Sequence, residues 1–172
     1  MRLRDECDML EAYLTLKPEF EIIAMEREDC RDVAVLHGER FARPWGDGEF
    51  HSLLSQETVF GFVARQTNAI LKKPLPGFIL ARQVAGEAEI LTVAVQAKVA
   101  RSGLGWRLMQ AAMREARARG GESMFLEVDN GNTAALGLYR KLGFEKVGER
   151  QGYYKQENGA LSTALVMKRV LR

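Results

Sequence analysis

The sequence predicts an α/β (α+β) fold in which helices cover a mixed, mostly antiparallel sheet. The hydrophobic period is helical near the N-terminus, changes to apolar runs rich in β-formers over residues 59–95, and becomes helical again from Leu104. The element order is helices, several strands, a helix, a strand, a helix and two strands, which favours a sheet with helices packed on it. The 172 residues suit a domain with a sizeable core.

The first part of the chain is predicted to be helical. Residues 1–20 precede any clear pattern, and we expect an N-terminal extension there, partly helical, followed by a single domain over 21–172. A helical pattern runs from about 28 to 42. The Gly- and Pro-containing stretch 42–48 then indicates a loop, and a second short helix carries Phe50 inward.

Three strands are predicted next, at Val59–Arg65, Phe78–Val84 and Ala88–Val95, with a proline-containing loop at Lys72–Gly77. Strands that are apolar on both faces belong in the middle of a covered sheet. Simple alternation in the third strand gives two faces, one with Ile90, Thr92 and Ala94 and the other with Leu91, Val93 and Val95.

The second half is predicted as helix, strand, helix and two strands. An apolar stripe begins the first helix and Gly120-Gly121 ends it. Asn132 is a candidate N-cap for the second helix, and Gly143 is its candidate C-cap. The strands are predicted at Ser123–Val128, Phe144–Arg150 and Leu161–Lys168, with Asn158-Gly159 as the last turn.

Composition excludes several classes of protein. No apolar run reaches the ~18 residues of a transmembrane helix, and Met1–Glu11 lacks a signal-peptide core. Two cysteines, Cys7 and Cys30, do not make a disulfide framework, so we expect reduced thiols in a cytoplasmic protein. The net charge of +2 does not suit a nucleic-acid binder. We therefore expect no nucleic-acid and no membrane partner.

The charge is unevenly divided along the chain. Residues 1–100 carry 12 basic and 16 acidic side chains, whereas residues 101–172 carry 13 basic and 7 acidic ones. In the basic half, the loop 101–105 joins a strand to a helix, and its glycines suit an anion cradle or a plain structural turn. A dinucleotide fingerprint is excluded because position 108 is Leu, and a P-loop is excluded because Trp106-Arg107 follow Gly105.

Several motifs in order resemble the GNAT superfamily of N-acetyltransferases, and within it the RimI-type enzymes. The motifs are Thr92-Val93-Ala94-Val95, Arg101-Ser102-Gly103-Leu104-Gly105, Leu126-Glu127-Val128, Asn132-Thr133-Ala134-Ala135, Leu138-Tyr139 and Leu142-Gly143-Phe144. The resemblance implies a GNAT-like sheet flanked by helices on both faces, with acetyl-CoA as cosubstrate and no metal. It also implies an acceptor such as the N-terminal amine of a ribosomal protein.

The resemblance also assigns site residues. It implies that Glu127 is the general base and Tyr139 the general acid. Cofactor contacts are implied for the backbone of Val93, Ala94 and Val95, for the N–H groups of Arg101, Ser102, Gly103, Leu104, Gly105 and Trp106, and for Asn132. The candidates for the acceptor groove are Trp45, Tyr153 and Tyr154.

The residues themselves leave alternatives open. An α-amine has a pKa of about 7.7–8.0, so a carboxylate suffices as its base. However, Glu127 also suits a solvent-facing strand position, Tyr139 suits a core, and the three groove candidates suit edge packing. His37 and His51 are too few and too far apart for a metal site.

Two departures from the family pattern, Ala100 and the segment 159–163, keep further functions open. One is acetylation of a small-molecule amine or a lysine, and another is a non-catalytic acyl-CoA-binding module. The expected oligomeric state is a monomer or a homodimer.

Overall fold

The computed structural model describes residues 17–69, 71, 74–155 and 161–171, with the backbone alone for 153–155. The predicted turn at 158–159 and nearly all of the predicted extension lie outside this range.

One mixed sheet organises the described part of the chain. Its order is β1-β2-β3-β4-β5-β7-β6, and every neighbouring pair is antiparallel except β4 and β5, which are parallel. The predicted mostly antiparallel sheet is therefore confirmed. The strands are β1 (Phe20–Ala24), β2 (Val59–Gln66), β3 (Gly77–Val84), β4 (Glu87–Val95), β5 (Ser123–Asp129), β6 (Glu145–Lys155) and β7 (Leu161–Val170).

Helices cover both faces of this sheet, as the resemblance implied. The helices are α1 (Cys30–Arg40), α2 (Asp47–Leu54), α3 (Leu104–Ala118) and α4 (Thr133–Lys141). The larger core lies under α3 and α4 and includes Ile79, Ile90, Leu104, Leu108, Leu126, Tyr139 and Met167. The smaller core lies under α1 and α2 and includes Val33, Leu36, Phe50, Phe78, Leu80 and Ala94.

The sequence pattern missed β1. This strand has only five residues, three of them half-buried and two exposed, so it lacks the long apolar run that marks β2 to β4. It pairs antiparallel with β2, from Phe20 opposite Gln66 to Ala24 opposite Phe62. The strand begins at Phe20, one residue before the predicted start of the domain.

The predicted faces of β4 are wrong beyond its middle, because the strand contains a β-bulge. Leu80 of β3 pairs with Thr92, while the next residue of β3 pairs with Ile90, so Leu91 is the extra residue. An inserted residue shifts the alternation by one position. Ile90 accordingly lies in the larger core but Ala94 lies in the smaller one.

After the bulge, Val93 and Val95 pack against the larger core, although alternation placed them opposite Ile90.

Glycine lets α3 lie close to the sheet. A Cβ on Gly77 of β3 would meet Leu108 Cδ1 at 3.1 Å, the carbonyl oxygen of Ala94 at 3.2 Å and Leu104 Cδ2 at 3.3 Å. The first two turns of α3 are thus fixed over the C-terminal half of β4. No helix among the described residues is long and apolar enough to cross a membrane.

Gly61 of β2 provides a test of close packing within the sheet. A Cβ there would lie 2.8 Å from the carbonyl oxygen of Ile79 and 3.0 Å from Met25 Sδ. Gly61→Ala should lower the free energy of unfolding by about 1–3 kcal/mol, because the backbone of β3 must shift. Urea unfolding followed by circular dichroism measures this change.

Gly137→Ala is the matched control. Gly137 lies in α4, and no described atom lies within 4 Å of a Cβ built on it. The substitution should raise the free energy of unfolding by about 0.5–1 kcal/mol, as expected for Gly to Ala in a helix. Equal effects at the two positions would contradict the packing described for Gly61.

Candidate active site

The parallel pair of strands opens into a notch. β4 and β5 pair only at Glu87–Ser123, Ala88–Met124 and Glu89–Phe125. Beyond these pairs β4 continues to Val95 and β5 to Asp129 without pairing to each other. We call the space between these diverging halves the notch. A bulge bends a strand and increases its twist, and the bulge at Leu91 lies where the pairing ends.

The β4 side of the notch presents backbone hydrogen-bonding groups. The N–H of Gln96 donates to the carbonyl oxygen of Pro76 at 2.9 Å, which places this pair among the hydrogen-bonded positions of the ladder with β3. Because such positions alternate, Ala94 turns its polar backbone groups toward β3, while Val93 and Val95 turn theirs into the notch. Of the three predicted contacts on β4, two therefore have suitable backbone orientation.

The predicted anion cradle lies at the N-terminus of α3, next to the end of β4. Arg101 has a φ of +63° and Gly103 a φ of +80°, so the loop turns sharply before the helix begins at Leu104. The first N–H groups of a helix have no acceptor within it and carry the positive end of the helix dipole. Leu104 is buried, whereas Arg101, Ser102 and Gly103 are exposed. The buried Leu104 thus fixes the cradle to the core, whereas the three exposed residues before it are accessible to a ligand.

Gly105 joins the cradle to the notch. A Cβ on this residue would lie 3.3 Å from Leu138 Cδ2 and 3.9 Å from Val95 Cγ2. A side chain at this position would press on Leu138 of α4, whereas the distance to Val95 is an ordinary contact. Gly105 thus lies where the N-terminus of α3 meets α4 and the end of β4. Trp106, the next residue, is 38% exposed.

The loop between β5 and α4 is held by its own side chains. Asn132 Oδ1 accepts a hydrogen bond from the N–H of Ala135 at 3.1 Å, which confirms the predicted N-cap. Asp129 accepts from the N–H of Gly131 at 2.7 Å and from the hydroxyl of Ser162 on β7. These bonds fix the start of α4 relative to the sheet.

Glu127 lies on β5 and points away from the larger core. Its neighbours Leu126 and Val128 belong to that core, so the alternation of β5 directs the Glu127 carboxylate to the face that carries α1 and α2. Its side chain is 24% exposed, and Oε1 forms an ion pair with Arg150 of β6 at 3.1 Å. Sequence reasoning missed Arg150, because strand pairing across β7 is what brings it near.

Tyr139 lies on the opposite face of the sheet. It is 6% exposed in the larger core, and its ring centroid is 6.1 Å from that of Phe144. The packing of Tyr139 is therefore that of a core aromatic residue, the alternative to a catalytic role that its sequence position left open. The candidate base and the candidate acid stand on different faces of the sheet, and the strands between them diverge at the notch.

The three groove candidates have different outcomes. Trp45 is half-buried against the smaller core, and its ring stacks on His37 with centroids 5.2 Å apart. It therefore packs on the same face as Glu127 and combines the predicted edge packing with partial exposure. Tyr153 and Tyr154 belong to β6, but their side chains lie outside the described residues.

His37 has a clear structural role, as expected. It is buried, and its Nδ1 accepts the backbone N–H of Trp45 at 3.1 Å. Burial lowers the pKa of His37, and the nearby Glu49 carboxylate opposes this effect. Within the described ranges, no group of three or more His, Cys, Asp or Glu side chains is arranged to hold a metal ion.

Comparison with models of known protein families identifies the family to which this fold belongs. The profile of the acetyltransferase (GNAT) family matches residues 22–144, which include the notch, the cradle, Glu127 and Tyr139. The chain belongs to the GNAT acetyltransferase family. The predicted acetyl-CoA-dependent N-acetyltransferase is thereby confirmed, with acetyl-CoA as the acetyl donor.

Relatives of this GNAT acetyltransferase include enzymes named for N-terminal acetylation. The [ribosomal protein bS18]-alanine N-acetyltransferase of Escherichia coli strain K12 is 29% identical over 80% of this chain and 89% of its own length. The N-alpha-acetyltransferase RimI of Mycobacterium tuberculosis is 31% identical over 77% of this chain and 82% of its own length.

Solved structures show the same GNAT architecture. The ribosomal-protein-S18-alanine N-acetyltransferase from Escherichia coli superposes with a TM-score of 0.79 and 27% identity, covering 89% of this chain and 94% of that one. Arabidopsis thaliana NAA60 in complex with acetyl-CoA superposes with a TM-score of 0.80 at 16% identity, covering 89% and 99%. At that identity, the second likeness supports the fold alone.

The Asn132 cap gives a prediction on stability. Asn132→Ala removes the acceptor for the Ala135 N–H and should lower the free energy of unfolding by about 1 kcal/mol. Asn132→Ser keeps an acceptor oxygen and should retain most of that stability. Urea unfolding of the two variants measures the difference, and equal losses in both would contradict the capping role.

Proposed function

We propose that this GNAT acetyltransferase acetylates the N-terminal α-amine of a protein. The observation that carries the proposal is the placement of Glu127, a partly exposed carboxylate beside the notch on the face of α1 and α2. The relatives named for N-alpha-acetylation support the same class of acceptor. The proposal includes a ribosomal protein as a candidate substrate and a cytoplasmic location, where new protein N-termini are made.

The cofactor is proposed to bind across the cradle and the notch. The N–H groups of residues 101 and 103–106 hold the pyrophosphate, since a helix N-terminus favours an anion, whereas the Ser102 N–H donates to the carbonyl oxygen of Val99 at 3.3 Å. The pantetheine arm then follows β4 as an added strand and pairs with the backbone groups of Val93 and Val95. Asn132 contacts the cofactor from the start of α4. This path delivers the thioester to the floor of the notch.

Acetyl transfer then uses the two faces of the sheet separately. The amine approaches from the face of Glu127, which takes its proton as the new C–N bond forms. The Val95 N–H donates to the carbonyl oxygen as negative charge develops there. The C–S bond then breaks, and Tyr139 on the opposite face gives a proton to the leaving thiolate, since a phenol with an ordinary pKa of about 10 is protonated at neutral pH and available as a donor.

Arg150 is proposed to orient the base. Its guanidinium donates to Oε1 of Glu127 at 3.1 Å. A carboxylate has two oxygens with several acceptor sites, so Glu127 can pair with Arg150 and still accept the amine proton. Arg150 is 58% exposed, which supports a position of this pair at the rim of the proposed acceptor site.

An acceptor panel tests the proposal. The enzyme is incubated with acetyl-CoA and with peptides that differ in their first residue, N-acetylated peptides with an internal lysine, or small-molecule amines, while free thiol release is followed. We expect free N-terminal peptides to be turned over most efficiently. A small amine that outcompetes every peptide would overturn the proposed acceptor, and CoA binding without any turnover would support a binding module instead.

The assigned chemical roles predict the effect of conservative substitutions. Glu127→Gln and Tyr139→Phe should each lower kcat by roughly 10²–10⁴, the usual contribution of a general base or acid. CoA affinity, measured by calorimetry, should change little. Glu149→Gln is a matched control, because Glu149 is a carboxylate of β6 that pairs with Lys146. Wild-type rates in both active-site variants would refute the roles.

The proposed cradle predicts that the same substitution has different effects on CoA binding at the two ends of α3. Gly103 and Gly120 have φ values of +80° and +85°, and no described atom lies within 4 Å of a Cβ on either. Alanine should cost each about 1–2 kcal/mol of stability through the same backbone strain. Only Gly103→Ala should weaken CoA binding in calorimetry, because only Gly103 lies in the cradle. Equal CoA affinity in the two variants would contradict the proposed anion site.

A further inference from the structure

A stack of aromatic rings surrounds His37 on α1. The imidazole is stacked on Phe41 with centroids 4.1 Å apart and an interplanar angle of 15°. Trp45 lies 5.2 Å away on a nearly parallel plane, at 16°, and Phe50 of α2 meets the ring edge-on at 5.5 Å. The side chain is only 2% exposed. His37 is thus the centre around which the α1–α2 loop folds.

The imidazole also forms a hydrogen bond with that loop. Its Nδ1 accepts the backbone N–H of Trp45 at 3.1 Å. A neutral imidazole has one acceptor nitrogen, whereas the protonated ring has two donors and no acceptor. Protonation would therefore replace this hydrogen bond with two donors facing each other. The position of Trp45 depends on the charge of His37.

The α1–α2 loop has a second anchor, which is a charged carboxylate rather than a neutral ring. Glu49 of α2 accepts the Gly46 N–H through Oε2 at 2.7 Å, and its charge favours a protonated His37. Burial acts in the opposite direction, is the larger effect and lowers the pKa of His37. The aromatic rings in contact with the imidazole, from the α1–α2 loop, α2 and β3, are those of Phe41, Trp45, Phe50 and Phe78, which do not ionise.

We propose that His37 is a positioning residue for the acceptor: its neutral imidazole holds Trp45 in place at the acceptor groove, so protonation of the ring weakens acceptor binding. The inference rests on the proposed function, in which the acceptor approaches from the face of the sheet that also carries Trp45. The link between His37 and Trp45 itself rests on the contacts above. The device would make acceptor affinity, rather than the acetyl-transfer step, sensitive to mild acid.

The direction of the pH effect follows from burial. The folded state disfavours the protonated ring, so the unfolded chain binds the proton at a higher pH. The contribution of neutral His37 to stability is present above the unfolded pKa of about 6.5 and is lost as the pH falls through and below it. The hold on Trp45 should weaken as the pH approaches the lower pKa of the folded state.

Two substitutions separate the effect of the hydrogen bond to Trp45 from the effect of protonating His37. His37→Asn places an amide oxygen near the position of Nδ1, so it can accept the Trp45 N–H but does not ionise. His37→Leu fills the space without an acceptor. At pH 7.5, the Leu variant should raise the KM for the peptide acceptor by about tenfold, and the Asn variant by much less. In both variants kcat and the KM for acetyl-CoA should stay within about twofold of wild type.

The pH profile is the deciding comparison. Protonation of the acceptor amine affects wild type and His37→Asn alike, so the ratio of their acceptor KM values isolates His37. This ratio, wild type over Asn, should rise as the pH falls from 7.5 to 5.5. A ratio that stays constant would overturn the proposal. Should the Leu variant not fold, the Asn comparison alone decides.

Fluorescence tests the link without any turnover. The chain has two tryptophans, so Trp106→Phe leaves Trp45 as the sole indole emitter. Its emission should change as the pH falls below 6.5, because burial lowers the pKa of His37, and should become independent of pH when His37→Asn is added. An emission that stays constant down to the acid limit of folding with His37 present would overturn the link between the two residues. Failure of every peptide to react would count against the proposed acceptor instead, and this titration would still decide the role of His37.

Discussion

The divergence of β4 from β5 is the constraint on which the rest of the site depends. Two parallel neighbours would normally pair along their whole length, which would close the sheet and leave no route between its faces. Here pairing ends at Glu89, and the bulge at Leu91 bends β4 away. The bulge also shifts the alternation, so that Val93 and Val95 pack on the larger core while their backbone groups face the notch. One extra residue thus sets both the opening and the hydrogen-bonding groups that line it.

The remaining elements place chemistry around this opening. The first two turns of α3 lie close to the sheet at Gly77, where a Cβ would crowd Leu104, Leu108 and the carbonyl oxygen of Ala94, and Gly105 lies next to the end of β4. Glu127 and Tyr139 lie on opposite faces of the sheet and can meet a common substrate only through the notch. This separation suits acetyl transfer, since the proton leaves the amine on one side and reaches the thiolate on the other. His37 extends the arrangement to the acceptor side by fixing Trp45.

Sequence reasoning predicted what depends on local signals. Each of these signals lies within a short stretch of neighbouring residues: the apolar stripe of α3, the N-cap Asn132 and the apolar runs of β2 and β3. The structure contains all of them. Features that depend on pairing between distant segments were missed. β1 is short and weakly apolar, and the register shift at Leu91 arises only from pairing with β3. The approach of Arg150 to Glu127 requires β7 to lie between their strands, which no spacing in the chain reveals.

Residue-resolved amide hydrogen exchange tests the central claim most directly. Acetyl-CoA should slow exchange at Val93 and Val95 and in the first turn of α3, because the pantetheine arm pairs with β4, the thioester carbonyl accepts the Val95 N–H and the pyrophosphate lies on the cradle. 3′-Phosphoadenosine 5′-diphosphate keeps the pyrophosphate but lacks the arm, so it should slow exchange at the first turn of α3 alone. The account is contradicted if acetyl-CoA binds and leaves exchange at Val93 and Val95 unchanged, or if the diphosphate protects them equally.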